Sequence, residues 1–215
     1  MGQAAMSAHE NLEHAEHAEH ASHSNKKIAL LIAVLALFLA FSETLGKSAQ
    51  TLGLELNIKA SDTWNFFQAK TIRQTTLRTA AEAMTLEAAT VANDEAKAAF
   101  AKQIDAWKKT VERYASEPST QEGRKELMAR AQALERQRDV AMARYHNYEY
   151  ASAAYQIGIV LASAAVITGI IALAYGSIGL GIVGLIFTGL GLFAPETLHD
   201  LTHWFQRLFE AGGGH

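Results

Sequence analysis

The sequence predicts an all-α membrane protein with three transmembrane helices. A long antiparallel, coiled-coil-like helical hairpin is expected between the first and the second. Three observations lead there. Residues 151–194 carry no formal charge over 44 positions. That is too long for one crossing of a ~30 Å hydrocarbon core, which takes about 20 residues, and suits two. Residues 28–41 form a second unbroken apolar run. The stretch between them is charged and rich in Ala, Leu, Glu, Lys, Arg and Gln, and the chain has only two prolines, Pro118 and Pro195. Such a composition favours helix.

Composition also narrows the function. Of 19 Lys and Arg residues, 16 lie between Lys47 and Arg144, matched by 15 acidic residues between Glu43 and Glu149. Charge this evenly mixed makes no basic field, so no nucleic-acid partner is expected. The absence of cysteine excludes disulfides, thiolate metal sites and a cysteine nucleophile.

In chain order, residues 1–25 form a His-rich polar tail built on the repeat Glu13-His14-Ala15, Glu16-His17-Ala18, Glu19-His20-Ala21. A period of three drifts around a helix of 3.6 residues per turn, so the histidines spiral. The tail reads as a solvated, irregular segment. His14, His17 and His20 are weak candidates for metal binding. Residues 26–46 form the first span, with Glu43 about one turn from its far end, close enough to reach water.

Residues 47–150 form the soluble hairpin. Leu45, Ala49, Leu52 and Leu56, then Leu77, Ala81, Met84, Ala88 and Val91, step by three and four like a coiled-coil seam. Asn93-Asp94 marks a turn and an N-cap. The next helix carries Phe100, Ile104, Trp107, Val111 and Tyr114 and ends before Pro118. Ser119 and Glu122 fit a capping box. From Thr120 a helix with Leu127, Leu134 and Ala141 seven apart runs into the second span without a break. The outgoing and returning arms, about 70 Å and about 80 Å at 1.5 Å per residue, close as a hairpin. A four-helix bundle with a further reversal at Ser61-Asp62 is the alternative.

The second and third spans, 151–174 and 178–194, divide at Tyr175-Gly176-Ser177. Tyr145, Tyr148 and Tyr150 beside His146 read as an interfacial aromatic belt. Pro195 opens an amphipathic interfacial helix over 195–211. Glu196, His199 and His203 share one of its faces as further weak metal candidates. Near the span ends the tail side offers two cations and the hairpin side six, which places the hairpin in the cytoplasm.

The segment around Trp64, Phe67, Lys70, Arg73 and Gln74 is dense in aromatics, amides and cations. It reads as a recognition surface for an anionic headgroup or a partner helix, or else as a polar layer that sets register. The glycines of the third span, Gly181, Gly184 and Gly189, allow close backbone approach and, with Phe100, Ile104, Trp107 and Val111, are the candidate self-association residues.

The order of span, ETLGKSAQT (43–51), SDTWNFFQAKTIRQ (61–74), charged helices and paired spans resembles a bacterial membrane-protein family, domain of unknown function 4337, over most of residues 26–194. The resemblance implies a multi-pass inner-membrane protein and carries no catalytic residues. No Walker loop, nucleophile elbow or HExxH motif is present. The expectation is a non-enzymatic scaffold without a cofactor. It would contact membrane lipid, form a homo-oligomer and offer a surface to a further membrane protein. A channel or transport subunit and a metal-responsive sensor using the tail are the alternatives.

Overall fold

The computed structural model describes residues 2–197, with side chains from Lys26 onward. Those residues form four helices and no strand: α1 (Gly2–Thr90), α2 (Asp94–Ala115), α3 (Arg124–Thr168) and α4 (Ile171–Phe193). Three segments, Lys26–Thr90, Arg124–Thr168 and Ile171–Phe193, are long and apolar enough to cross a membrane. The chain divides into two compact units. One takes residues up to Gln50 and from Val140 onward, and the other is Thr51–Asp139.

A seven-residue period organises the helices. On α1 the buried positions Ile28, Leu35, Ser42, Ala49, Leu56, Thr63 and Lys70 fall seven apart. Gly46, Gly53, Ala60, Gln74 and Ala81 form the companion column. Two columns spaced three and four apart give α1 one continuous inward seam. On α3, Leu127, Ala141, Tyr148, Tyr155 and Ala162 keep the same period. On α4 the buried residues are Ala174, Ser177, Gly181, Gly184 and Gly191, all small, again on steps of three and four.

The seam on α1 therefore differs from the one expected. Leu52 is exposed, and Gly53 takes the inward position. In the apolar segments Ile28 and Leu35 face inward, but most large aliphatic side chains, Leu30, Leu37, Val160, Ile182 and Ile186 among them, face outward, and the inward positions of α4 are all small. Ser61 and Asp62 lie inside uninterrupted α1, so no reversal occurs there. The polar tail, expected to be irregular, begins α1 instead, its Ala and Glu being good helix formers.

Asn93 caps α2 as predicted, its side chain accepting from the Glu95 and Ala96 amides. The expected capping box at Ser119–Glu122 is absent, because α3 starts only at Arg124. The break between the last two helices lies at Gly169, not at Tyr175-Gly176-Ser177, which sits inside α4. Gly169 adopts φ +72°, and its amide donates to Ala165 O at 2.9 Å. This is the left-handed helix stop that glycine favours. The Thr168 hydroxyl donates to Ala164 O and accepts the Ile170 amide, satisfying groups left free by the break.

A Cβ at Gly169 would meet nothing within 4 Å, so substitution there tests the backbone alone. Gly169→Ala is expected to cost about 1–2 kcal/mol. Gly169→Asn should cost less, because Asn tolerates the left-handed region. Thermal unfolding in mild detergent reads both.

Candidate functional site

The unit Thr51–Asp139 holds a layer of cations and aromatics gathered round the buried side chains of Lys70 and Gln74. Lys70 falls on a seam position of α1 and is 6% exposed. Its ammonium lies 5.2 Å from the Phe66 ring centroid, 5.0 Å from that of Tyr114 and 3.5 Å from Glu122 Oε2. The two ring faces replace part of the hydration that burial removes. One turn on, Gln74 is also buried. Its Nε2 donates to Val111 O at 3.0 Å, and its Oε1 accepts from Arg124 Nη1 at 2.6 Å. The Arg124 guanidinium lies 5.0 Å from the Phe67 centroid, while its buried Nε has no partner. Trp64 packs edge-on against Phe67 and donates from Nε1 to Glu135 Oε1 at 2.9 Å. The layer thus joins α1 to the end of α2 and the start of α3.

Glu126 closes the α2–α3 connection. It accepts the Ser116 hydroxyl at 2.6 Å and the Glu117 amide at 3.1 Å. The Ser116 hydrogen bond above all holds its carboxyl below the usual carboxylate range. A lowered folded-state value means that ionised Glu126 stabilises the connection fully above its unfolded value of about 4.3. That contribution is lost as pH falls through the lower folded value. Amide hydrogen exchange over 116–127 is expected to accelerate across that acidic window, and Glu126→Gln should remove the step.

In the other unit, Tyr155 of α3 is 0% exposed. The Thr188 hydroxyl donates to Gly184 O, so the Tyr155 hydroxyl is the donor in its 3.1 Å bond to Thr188 Oγ1. Phe38 stacks on the Tyr155 ring with centroids 6.0 Å apart. The Ser42 hydroxyl donates to Tyr148 O at 3.0 Å. Asn147 Nδ2 donates to Ala143 O and to Pro195 O, tying down the end of α4. Glu43 is exposed at the helix surface and accepts from Gln156 Nε2 at 3.4 Å.

The predicted site residues divide by where their side chains lie. Trp64, Phe67, Lys70 and Gln74 join in the polar layer, one of the two arrangements expected of this segment, while Arg73 is exposed. Gly181 and Gly184 receive side chains of the same chain. A Cβ at Gly181 would lie 2.9 Å from Leu35 Cδ2, and one at Gly184 would lie 2.7 Å from Tyr155 Cζ. Gly191 receives Tyr148 in the same way. Tyr148 is therefore a core residue rather than part of an aromatic belt. Only Gly189 of the three candidate glycines faces open space. Ile104 is buried, and Phe100, Trp107 and Val111 are half-buried on the same α2 face, whose Val111 carbonyl accepts from Gln74.

Among the described residues no group of three His, Asp or Glu side chains is placed to hold a metal. Glu196 is exposed in a turn after α4. His199, His203 and most of the expected interfacial helix lie outside the described residues, as do the side chains of His14, His17 and His20.

The described residues are all helical and include three helices long and apolar enough to cross a membrane; small-residue seams pack one unit, and a polar layer marks the other. The chain belongs to the family described as Domain of unknown function (DUF4337), whose profile matches residues 24–194. No curated protein and no solved structure matches it.

Proposed function

We propose that this chain is a non-enzymatic, multi-pass inner-membrane scaffold that self-associates and carries a long helical arm in the cytoplasm. The observation that carries this reading is the use made of the buried polar side chains. Ser42, Lys70, Gln74 and Tyr155 bond to neighbouring helices or stack on their rings, and Asn147 bonds to the chain just past α4, so these polar side chains serve to hold the helices in place. The arm reads as an antiparallel hairpin kinked near Pro118. What supports this is the register of its pairs. Gln74 meets Val111 and Arg124, Trp64 meets Glu135, and Asn57 meets Arg138, so α1 numbers fall as the others rise. Six cations against two near the span ends favour a cytoplasmic arm.

Native mass spectrometry from mild detergent is the test. A defined homo-oligomer is expected, and a strictly monomeric species would sink the proposal. A pore lined by the glycine face of α4 fits less well, because Tyr155, Tyr148 and Leu35 occupy that face. Zinc titration of the full chain against a variant lacking residues 1–25 tests the sensor reading, which expects binding to vanish with the tail.

A further inference from the structure

The far side of α1 in the unit Thr51–Asp139 carries a second heptad that none of the described residues covers. Four aliphatic side chains are well exposed there: Leu54 59%, Ile58 61%, Ile72 67% and Leu86 75%. Ile58, Ile72 and Leu86 fall on one seven-residue column together with Asn65, and Leu54 lies on the column three residues along. These columns lie roughly opposite the buried seam through Leu56, Thr63 and Lys70. From 54 to 86 they contain a single charge, Glu82, and the remaining positions are uncharged Ser, Thr and Gln. The columns that flank it, by contrast, hold Glu55 and Asp62 on one side and Arg78 on the other. A solvated helix face has no reason to exclude charge while keeping four aliphatic side chains.

We infer that this stripe is where a second copy of the chain docks, forming a parallel α1–α1 coiled coil. The inference rests on the scaffold proposal and names its contact. Copies of a membrane protein insert with one topology, so two α1 helices meet running in the same direction. In a parallel pair each position faces its own counterpart, and every charge on the seam would meet a like charge. A nearly charge-free stripe satisfies that requirement, whereas a different partner protein would impose no such symmetry. The choice of residues fits as well. Ile58 and Ile72 occupy the column where β-branched residues favour two strands. Asn65 sits between them in that column, where a single Asn sets register and oligomer number. Glu82 is near the far end, one turn after Arg78, which offsets its charge within the same copy.

The chain has no cysteine, so single-cysteine variants report cleanly. In the full-length protein in mild detergent, Ile58→Cys, Ile72→Cys and Leu86→Cys are each expected to oxidise to a disulfide-linked dimer. Leu52→Cys and Arg73→Cys, exposed but off the stripe, should not. Ile58→Glu combined with Ile72→Glu places like charges face to face and should weaken association on the order of 100-fold in dilution experiments. Its circular dichroism should be unchanged, because both positions are exposed. Asn65→Ile should tighten association and broaden the range of oligomers. If a defined oligomer persists in the double Glu variant and the stripe cysteines do not crosslink, the α1 stripe is not the contact, although the scaffold reading stands. If the unmodified protein is monomeric throughout, both readings fall.

Discussion

Gly184→Leu is expected to be among the most damaging single substitutions in the chain. It should destabilise the protomer itself rather than merely change how copies associate. A Cβ at position 184 would lie 2.7 Å and 2.8 Å from Cζ and Cδ1 of Tyr155. That ring cannot retreat: it is fully buried, stacked on Phe38 and held through its hydroxyl by Thr188. Overpacking a filled interior by even a few atoms costs about 1–3 kcal/mol, and the leucine adds four. A loss of roughly 3 kcal/mol in thermal or denaturant unfolding is therefore expected, with Gly184→Ala intermediate. Gly189→Ala should behave in the opposite way. Nothing lies within 4 Å of its would-be Cβ, and replacing glycine inside a helix gains about 0.5–1 kcal/mol. The double variant Gly184→Ala with Tyr155→Leu should recover part of the Gly184→Ala loss, since the two sites share one contact. A Gly184→Leu protein that unfolds normally but changes oligomer number would show that this face meets another copy instead.

The contrast between Gly184 and Gly189 also shows what the sequence discloses and what it hides. Apolar stretches are visible as such, because length and lack of charge need no knowledge of neighbours. Local chemistry is visible too: Asn93 caps α2, and α2 stops before Pro118. What hydropathy hides is which side of a helix faces its partners. On α1 the expected seam holds at Ala49 and Leu56, but Leu52 faces outward and the other inward positions are Ser42, Gly46 and Gly53. Where the surroundings are themselves apolar, close packing rather than hydrophobicity selects the inner residue, and small side chains win. A search for seven-residue spacing of any residue type would have found this seam, and would have carried it through Thr63 and Lys70 into the polar layer. The helix break at Gly169 was hidden for a related reason. A lone glycine between Thr168 and Ile170 looks like one more small residue, whereas Tyr175-Gly176-Ser177 looks like a turn. Only the left-handed backbone separates them.

Lys70 and Gln74 raise the question of why a buried helix seam should hold a cation and an amide at all, and substitution is expected to separate the two by size of effect. Lys70→Met is expected to be nearly neutral. The ammonium loses two ring contacts worth about 0.5–2 kcal/mol together, while its ion partner Glu122 is half in water and is easily resolvated. The thioether keeps the volume and the aromatic contacts. Gln74→Leu should instead cost about 2–3 kcal/mol. It strips Arg124 of its Nη1 acceptor when Nε already lacks a partner, leaving a partly buried guanidinium unsatisfied. Removing that charge as well, in Gln74→Leu with Arg124→Met, should restore most of the stability, because apolar replacement of both members of a buried polar pair is often neutral. The double variant then separates energy from specificity. If the layer exists to set register, its unfolding midpoint will stay near that of the parent. Amide exchange at 67–78 and 108–126 will nevertheless become faster, as α1 loses the polar positions that forbid it to slide by a heptad against its neighbours. Unchanged exchange in that stable double variant would assign the layer no role in register.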